Sequence, residues 1–121
     1  MKIKLIFDEK RVLAELFDTD CARAIYEKLP IESKINTWRD EFYFSIPLEY
    51  PLDEIATLNV KVGDIGYWPH GKAFAIFCGP TSASIDENLI SASEVNIVGR
   101  LLKDPSRLKE LKNSKKISSF S

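Results

Sequence analysis

The sequence of 121 residues contains no glutamine, one histidine, one methionine and two cysteines. Neither Cys21 nor Cys78 has a second metal ligand at the short spacing of a zinc site, so no zinc site is expected. Both are predicted to be buried thiols that pack as small hydrophobic side chains. A single histidine also leaves too few ligands for a typical metal centre. We therefore expect no metal ion and no other cofactor.

An excess of charge of either sign is also missing. The 17 basic residues are balanced by 18 acidic ones, and the net charge is −1. Because the phosphates of nucleic acids bind to a basic surface, no nucleic-acid partner is expected. No apolar run approaches the roughly 18 residues of a membrane span, and residues 1–7 are too short and too charged for a signal peptide. The expectation is a cytoplasmic protein without a membrane partner.

Hydrophobic residues are plentiful, at 45% of the chain. A chain of this length can bury one apolar core without help from a disulfide or a metal. No internal repeat and no low-complexity segment divides it. One domain that spans residues 1–121 is therefore predicted.

Apolar and polar residues alternate with a period of two through most of the chain, which is typical of β-strands. The alternation is clear at 2–7 and again at 12–16, and a short turn joins these two segments into a predicted hairpin. Residues 18–20 carry side chains that can cap a helix. Apolar residues at helical spacing then continue to Pro30, which predicts one amphipathic helix.

Several more strands are predicted after Pro30. Residues 73–78 are all apolar, which is typical of a strand buried on both faces. Residues 79–93 are rich in serine and predict a surface loop of a length that is often functional. Asp104 followed by Pro105 predicts a second helix. The predicted strands are 31–38, 41–46, 58–62, 65–68, 73–78 and 94–102, with an edge strand or tail at 115–121.

This pattern of elements favours one fold class. Two short helices are too few to serve as the crossovers of a parallel sheet with seven or eight strands. Closure of the strands into a barrel would remove exposed sheet edges. The sequence therefore predicts a mainly β protein, a closed barrel with two short helices.

Three segments resemble a known family. They are 36–47, 62–81 and 92–100, and the second, VGDIGYWPHGKAFAIFCGPT, is the most specific. Together they resemble a small prokaryotic family of cyclophilin-like proteins of unassigned function, and the resemblance covers nearly the whole chain. It implies an eight-stranded cyclophilin-type β-barrel with a helix that closes each end.

The resemblance does not extend to prolyl isomerase chemistry. True cyclophilins place an arginine on the strand before a phenylalanine-methionine-glutamine cluster. Here residues 36–38 of the comparable strand are Asn-Thr-Trp, and residues 42–44 are Phe-Tyr-Phe. A weak peptidyl-prolyl isomerase remains an alternative function, and it would depend on Arg39.

A remoter alternative is a role in amide hydrolysis, because cyclophilin-like domains occur attached to amide-hydrolysing enzymes. The chain supplies no nucleophile for that reaction.

Aromatic residues near predicted turns are the strongest candidates for a binding site. Aromatic walls with a few polar groups are typical of concave ligand sites. We therefore expect a non-enzymatic module that binds a small molecule or an extended peptide on one face of the barrel, with no catalytic residue. The candidate ligand-binding residues are Asn36, Trp38, Tyr43, Tyr67, Trp68, His70 and Thr81.

A third hypothesis is a protein-interaction or oligomerisation domain. It would pair through an edge strand or through the predicted loop at 79–93. The sequence does not decide the oligomeric state, because edge pairing depends on which strands the fold leaves uncovered.

Overall fold

The computed structural model describes residues 1–38, 41–54, 56–61, 63–69, 71–77, 88–102 and 115–120, and only the backbone at 37, 38, 41 and 88–93. These ranges contain ten strands and one helix. The helix is α1 (Asp20–Glu27). The strands are β1 (Lys2–Phe7), β2 (Lys10–Leu16), β3 (Ile31–Lys34), β4 (Asn36–Trp38), β5 (Glu41–Ser45), β6 (Thr57–Lys61), β7 (Asp64–Trp68), β8 (Ala73–Phe77), β9 (Asn88–Leu101) and β10 (Lys116–Phe120).

The predicted hairpin and first helix are confirmed. β1 and β2 pair antiparallel from Lys2–Glu15 to Phe7–Lys10, and alternate residues of β1 are buried on one face. Thr19 is the N-cap of α1, and its hydroxyl accepts a hydrogen bond from the Ala22 N–H at 3.1 Å. The helix has only eight residues, about two turns.

Nine strands form one antiparallel sheet in the order β3-β10-β1-β2-β9-β7-β8-β5-β4, and β6 pairs with β9 outside this path. The closed eight-stranded barrel predicted from the sequence is therefore wrong, because the described strands form an open path with β3 and β4 at its ends. The predicted strand at 31–38 is divided at Ile35. Lys34 pairs with β10 whereas Asn36 pairs with β5, so the two halves stand at opposite ends of the strand order although only Ile35 separates them.

Two hydrophobic clusters lie on opposite faces of the strands β5, β7 and β8. We call the larger one the inner cluster and its side of the sheet the inner face. The members of the inner cluster include Leu5, Phe7, Phe42, Phe44, Ile65, Tyr67, Phe74, Ile76, Val98 and the α1 residues Cys21, Ala22 and Ile25. The smaller outer cluster, on the outer face, consists of Val60, Ala75, Phe77 and Val95.

β8 was predicted to be buried on both faces, and this is confirmed. All five of its residues are buried. Phe74 and Ile76 belong to the inner cluster, whereas Ala75 and Phe77 belong to the outer one. The outer cover comes from Val60 on β6 and Val95 on β9.

The predicted loop at 79–93 is wrong over its last six residues. β9 begins at Asn88 and continues for 14 residues, so 88–93 are strand rather than loop. This first half of β9 pairs with β6, a partner that local sequence does not reveal. The earlier part of the loop and the second predicted helix lie outside the described residues, so one described helix stands where two were expected. No described helix is long and apolar enough to cross a membrane.

The predicted strand at 58–62 is real but its burial differs from expectation. Val60 is buried, whereas Leu58 is 42% exposed. The pairing of β6 with β9 shifts between Thr57 and Asn59, so the ladder is irregular at Leu58, whereas Val60 lies in its regular part.

Candidate functional site

Two of the sequence-predicted site residues face each other across the ladder of β4 and β5. Asn36 is the direct partner of Tyr43, and the row continues through Ala75 of β8 to Gly66 of β7. Residues opposite each other in antiparallel strands share a face of the sheet. Asn36 is exposed and Tyr43 is half-buried against the outer cluster. These two residues therefore lie on the outer face.

Trp68 lies on the same face. It pairs with Ala73 in the next row, is half-buried, and packs against the outer cluster as Tyr43 does. Its ring lies close to Gly71, where an added Cβ would be 2.5 Å from Trp68 Cε3. Its indole Nε1 is buried and has no hydrogen-bond partner among the described residues. Asn36, Tyr43 and Trp68 thus form a partly open surface, which we call the aromatic face.

Tyr67 is separated from this group. Successive residues of a strand point to opposite sides, so Tyr67 lies in the inner cluster while Trp68 lies outside. Its side chain is 0% exposed, and its hydroxyl donates a 2.6 Å hydrogen bond to the Leu48 carbonyl. Burial raises the pKa of this hydroxyl, and its hydrogen bond with the backbone of Tyr50 opposes the rise. Its visible role is to anchor the chain near Leu48.

The other predicted site residues are less fully described. Trp38 belongs to β4, where its backbone pairs with Glu41. His70 and Thr81 lie outside the described residues, as does Arg39 of the isomerase hypothesis. The structure therefore places Asn36, Tyr43 and Trp68 on one face of the sheet, with Asn36 and Tyr43 in direct contact across the strands, and it places Tyr67 on the other face.

A cleft that the sequence did not predict lies where the start of α1 faces an irregular segment, residues 46–54. Its volume is about 640 Å³. We call it the helix cleft. Its lining residues are Thr19, Asp20, Cys21, Tyr50, Pro51, Leu52, Asp53 and Glu54.

The irregular wall of the helix cleft is held by buried side chains. Asn96, which is 0% exposed, accepts the Asp53 N–H at 2.8 Å and donates to the Pro51 carbonyl at 2.9 Å. Tyr67 holds the same segment at Leu48. Asn96 and Tyr67 are direct partners in the ladder of β9 and β7, so one pair of neighbouring side chains fixes both points. The wall is therefore largely preformed.

The thiol of Cys21 lies at the base of the helix cleft. Asn96 Nδ2 is 3.5 Å from its Sγ. Burial raises the pKa of the Cys21 thiol, the Asn96 contact lowers it, and the charge of Asp53 raises it further. A neutral buried thiol is a poor nucleophile. The prediction that Cys21 is a buried thiol is confirmed.

In the part of the chain that the structure describes, no three histidine, cysteine, aspartate or glutamate side chains come together in a group that would hold a metal ion.

One residue in the sequence, Asn96, could have indicated the helix cleft. Asn96 stands among the apolar residues Val95, Ile97 and Val98. A polar side chain on the buried face of a strand needs hydrogen-bond partners, and an irregular segment with free backbone groups is the usual source of them. Asp53, the hydrogen-bond partner of Asn96, could not be identified from the sequence because 43 residues separate the two.

Comparisons with known proteins agree with the fold. The family model described as cyclophilin-like matches residues 1–119. The solution structure of the hypothetical protein AF2241 from Archaeoglobus fulgidus is similar, with 32% identity, 99% of this chain and 93% of that chain covered, and a TM-score of 0.81. No curated protein matches the sequence.

A more distant structure shares the fold alone. It is the structure of McbB in complex with tryptophan, with 15% identity and a TM-score of 0.72. The likeness covers 98% of this chain but 44% of that one.

Proposed function

We propose that this chain, which belongs to the cyclophilin-like family, is a non-enzymatic module that binds a small molecule in the helix cleft. The observation that carries this proposal is the volume of about 640 Å³ beside a wall held by hydrogen bonds of the buried Asn96 side chain. Ligand sites usually have volumes of about 300–1,000 Å³ and are largely formed before the ligand arrives.

The lining of the helix cleft supports binding rather than catalysis. Cys21 is its natural nucleophile, yet burial raises the pKa of that thiol. The hydroxyl of Thr19 already caps α1. Leu52 is 41% exposed at the cleft, which offers an apolar contact to a ligand. The tryptophan complex of McbB is further support, since a protein of similar fold holds a small molecule.

Thermal unfolding with and without compounds tests this proposal. A ligand that binds only the folded state stabilises it by about 2.7 kcal/mol at a hundred times its Kd. Such a gain raises the Tm of a chain of this length by several degrees. A library of small metabolites, with tryptophan as the first member, is expected to contain compounds that raise the Tm.

Two leucines of similar exposure provide a matched control. Leu52 lines the helix cleft, whereas Leu58 is 42% exposed on β6 and does not line it. Leu52→Ser is expected to weaken a ligand's Tm shift and Leu58→Ser to leave it intact, each measured against the variant's own Tm. No stabilising compound at millimolar concentration, or equal loss in both variants, would contradict the proposal.

The aromatic face favours a second candidate, the binding of an extended peptide. Two half-buried rings, Tyr43 and Trp68, share the outer face with the exposed Asn36, which is the direct cross-strand partner of Tyr43. Half-exposed rings of this kind offer apolar contacts to a peptide side chain. This candidate keeps the predicted residues Asn36, Trp38, Tyr43, Trp68, His70 and Thr81 together as one proposed site.

NMR separates the two candidates. A peptide on the aromatic face would shift the Trp68 indole N–H resonance, which Trp68→Phe assigns, and Tyr43→Ala would weaken that shift. A compound in the helix cleft would leave this resonance in place and move the amide resonances of residues 50–54. An unmoved indole resonance with every stabilising peptide would remove the second candidate.

A further inference from the structure

Strand β6 has one edge whose backbone donors are bonded to side chains. It pairs with β9 and, among the described strands, with no other. The Asn59 N–H donates to the Thr57 hydroxyl at 3.0 Å, and the Lys61 N–H donates to Asp64 Oδ2 at 2.8 Å. Alternate residues of an antiparallel strand direct their N–H groups to the same side, so these two amides both point away from β9. We call this side of β6 the free edge.

The free edge is accessible to another molecule. Asn59 and Lys61 are exposed, and Leu58 between the ends of the strand is 42% exposed. An exposed edge strand is a template on which a further strand can pair. Residues 57–61 include a threonine and a valine, which favour strands, and no proline that would prevent pairing. The free edge would therefore accept another strand if its amides were available.

A second copy of the chain presents a strand that fits the free edge. When two β6 strands lie antiparallel and centred on Asn59, Asn59 of one copy faces Asn59 of the other, and Thr57 faces Lys61. No two like charges are then directly opposite each other, so the strand is compatible with its own copy. This ladder needs the N–H groups of Asn59 and Lys61, which Thr57 and Asp64 occupy in the single chain.

We propose that the side chains of Thr57 and Asp64 keep the protein from pairing with itself through the free edge of β6. Two copies that pair in this way must first break both capping hydrogen bonds in each chain. An exposed hydrogen bond of this kind changes an equilibrium constant by about threefold. Loss of one cap should therefore strengthen the pair about tenfold, and loss of both about a hundredfold.

Sedimentation equilibrium of the full chain, from micromolar to millimolar concentration, tests this inference. The unsubstituted protein is expected to remain mainly monomeric. Thr57→Val keeps the shape of the side chain without the hydroxyl, and Asp64→Ala removes the carboxylate. The dissociation constant of the dimer should fall about tenfold with either substitution and about a hundredfold with both. A folded double variant that associates no more than the unsubstituted chain would overturn the inference.

A matched double variant retains both acceptors. Thr57→Ser keeps a hydroxyl, and Asp64→Asn keeps a side-chain oxygen while it changes the net charge as Asp64→Ala does. This variant is expected to associate no more than the unsubstituted chain. Equal association of the two double variants would overturn the inference, because the lost charge would then explain it. Thr57→Val alone leaves Asp64 in place, so its tenfold step stands as a test even if Asp64→Ala disturbs folding.

NMR of the ¹⁵N-labelled chain locates the contact. In the variant without both acceptors, the amide resonances of Asn59 and Lys61 are expected to move as the protein concentration rises. Adding Asn59→Pro removes the central donor of the ladder and should restore the monomer. Association that leaves both resonances unmoved would overturn the inference. Concentration-dependent movement of these resonances in the unsubstituted protein would also overturn it, because the free edge would then be open.

Discussion

The inner and outer faces of β5, β7 and β8 are built from alternate residues of the same strands, yet they are filled differently. The inner face carries large side chains such as Phe44 and Phe74, whose ring centroids lie 5.0 Å apart. The outer face carries Ala75 and Gly66 beside the buried ring of Phe77, and its cover includes the half-buried rings of Tyr43 and Trp68. The side chains of the inner cluster are almost fully buried, whereas the outer face is partly open.

This difference suggests that one face of the sheet contributes mainly to stability and the other mainly to binding. Close-packed large side chains supply most of the free energy of unfolding, because each contributes both hydrophobic burial and dispersion contacts. Half-exposed rings contribute less to stability and remain available for contact with another molecule. We therefore expect substitutions on the inner face to affect folding and those on the outer face to affect binding.

The largest effect is expected at the centre of the inner face. Phe44→Ala leaves a cavity among fully buried side chains and should lower the free energy of unfolding by about 3–5 kcal/mol. Tyr43→Ala, one residue away on the outer face, should lower it by about 1 kcal/mol. Urea unfolding followed by circular dichroism measures both. Similar losses in the two variants would break the distinction between the faces.

Two glycines test how closely neighbouring groups approach the strands β9 and β7. A Cβ at Gly99 would lie 2.2 Å from the Glu15 carbonyl oxygen, whereas one at Gly66 would lie 2.9 Å from Val95 Cγ2. Backbone paired in a sheet cannot move away as a side chain can. Gly99→Ala should therefore cost about 3 kcal/mol and Gly66→Ala about 1 kcal/mol of unfolding free energy. A larger loss at Gly66 would show that the Val95 side chain gives way less readily than the paired backbone of β2.

The smallest expected effect is a pH dependence at Asp64. Burial raises the pKa of this carboxyl above its ordinary value of 3.8, and the hydrogen bond from the Lys61 N–H partly opposes the rise. The folded chain therefore holds the proton more readily than the unfolded chain does. Its contribution to stability is present below the ordinary pKa and is lost as the pH rises through the raised value.

Asp64→Asn removes this titration and keeps an oxygen that can accept the Lys61 N–H. The variant should be more stable than the unsubstituted protein at pH 7, by less than about 1 kcal/mol because solvent screens the group. The difference should disappear below about pH 4. Thermal unfolding at a series of pH values measures it. A difference that grows on acidification would contradict this sign.

Features that depend on neighbouring residues were predictable from the sequence. The hairpin of β1 and β2, the cap at Thr19 and the burial of β8 all follow from local periodicity or capping chemistry. The aromatic face was predictable only in part. Asn36, Tyr43 and Trp68 were correctly predicted to share a face, but Tyr67 was wrongly included with them. Pairing of both β5 and β7 with β8 places Tyr43 on the outer face and Tyr67 on the inner face.

Features that depend on distant partners were not predictable. The change of partner at Ile35, which leaves the sheet path open, follows from the placement of β10 and β5 rather than from the local sequence. Residues 88–93 resemble a loop in composition, yet pairing with β6 makes them a strand. The helix cleft depends on Asn96 reaching Pro51 and Asp53, more than 40 residues earlier in the chain.

The length of β9 has a consequence for how the molecule opens. Its first half pairs with β6, and around Gly99 and Arg100 it is bordered by β2 on one side and β7 on the other. Amide protons enclosed between two neighbouring strands exchange with deuterium only when a whole cooperative unit separates. The amide protons near Gly99 should therefore be among the slowest-exchanging of the described chain, and those of the covering strand β6 should exchange much earlier.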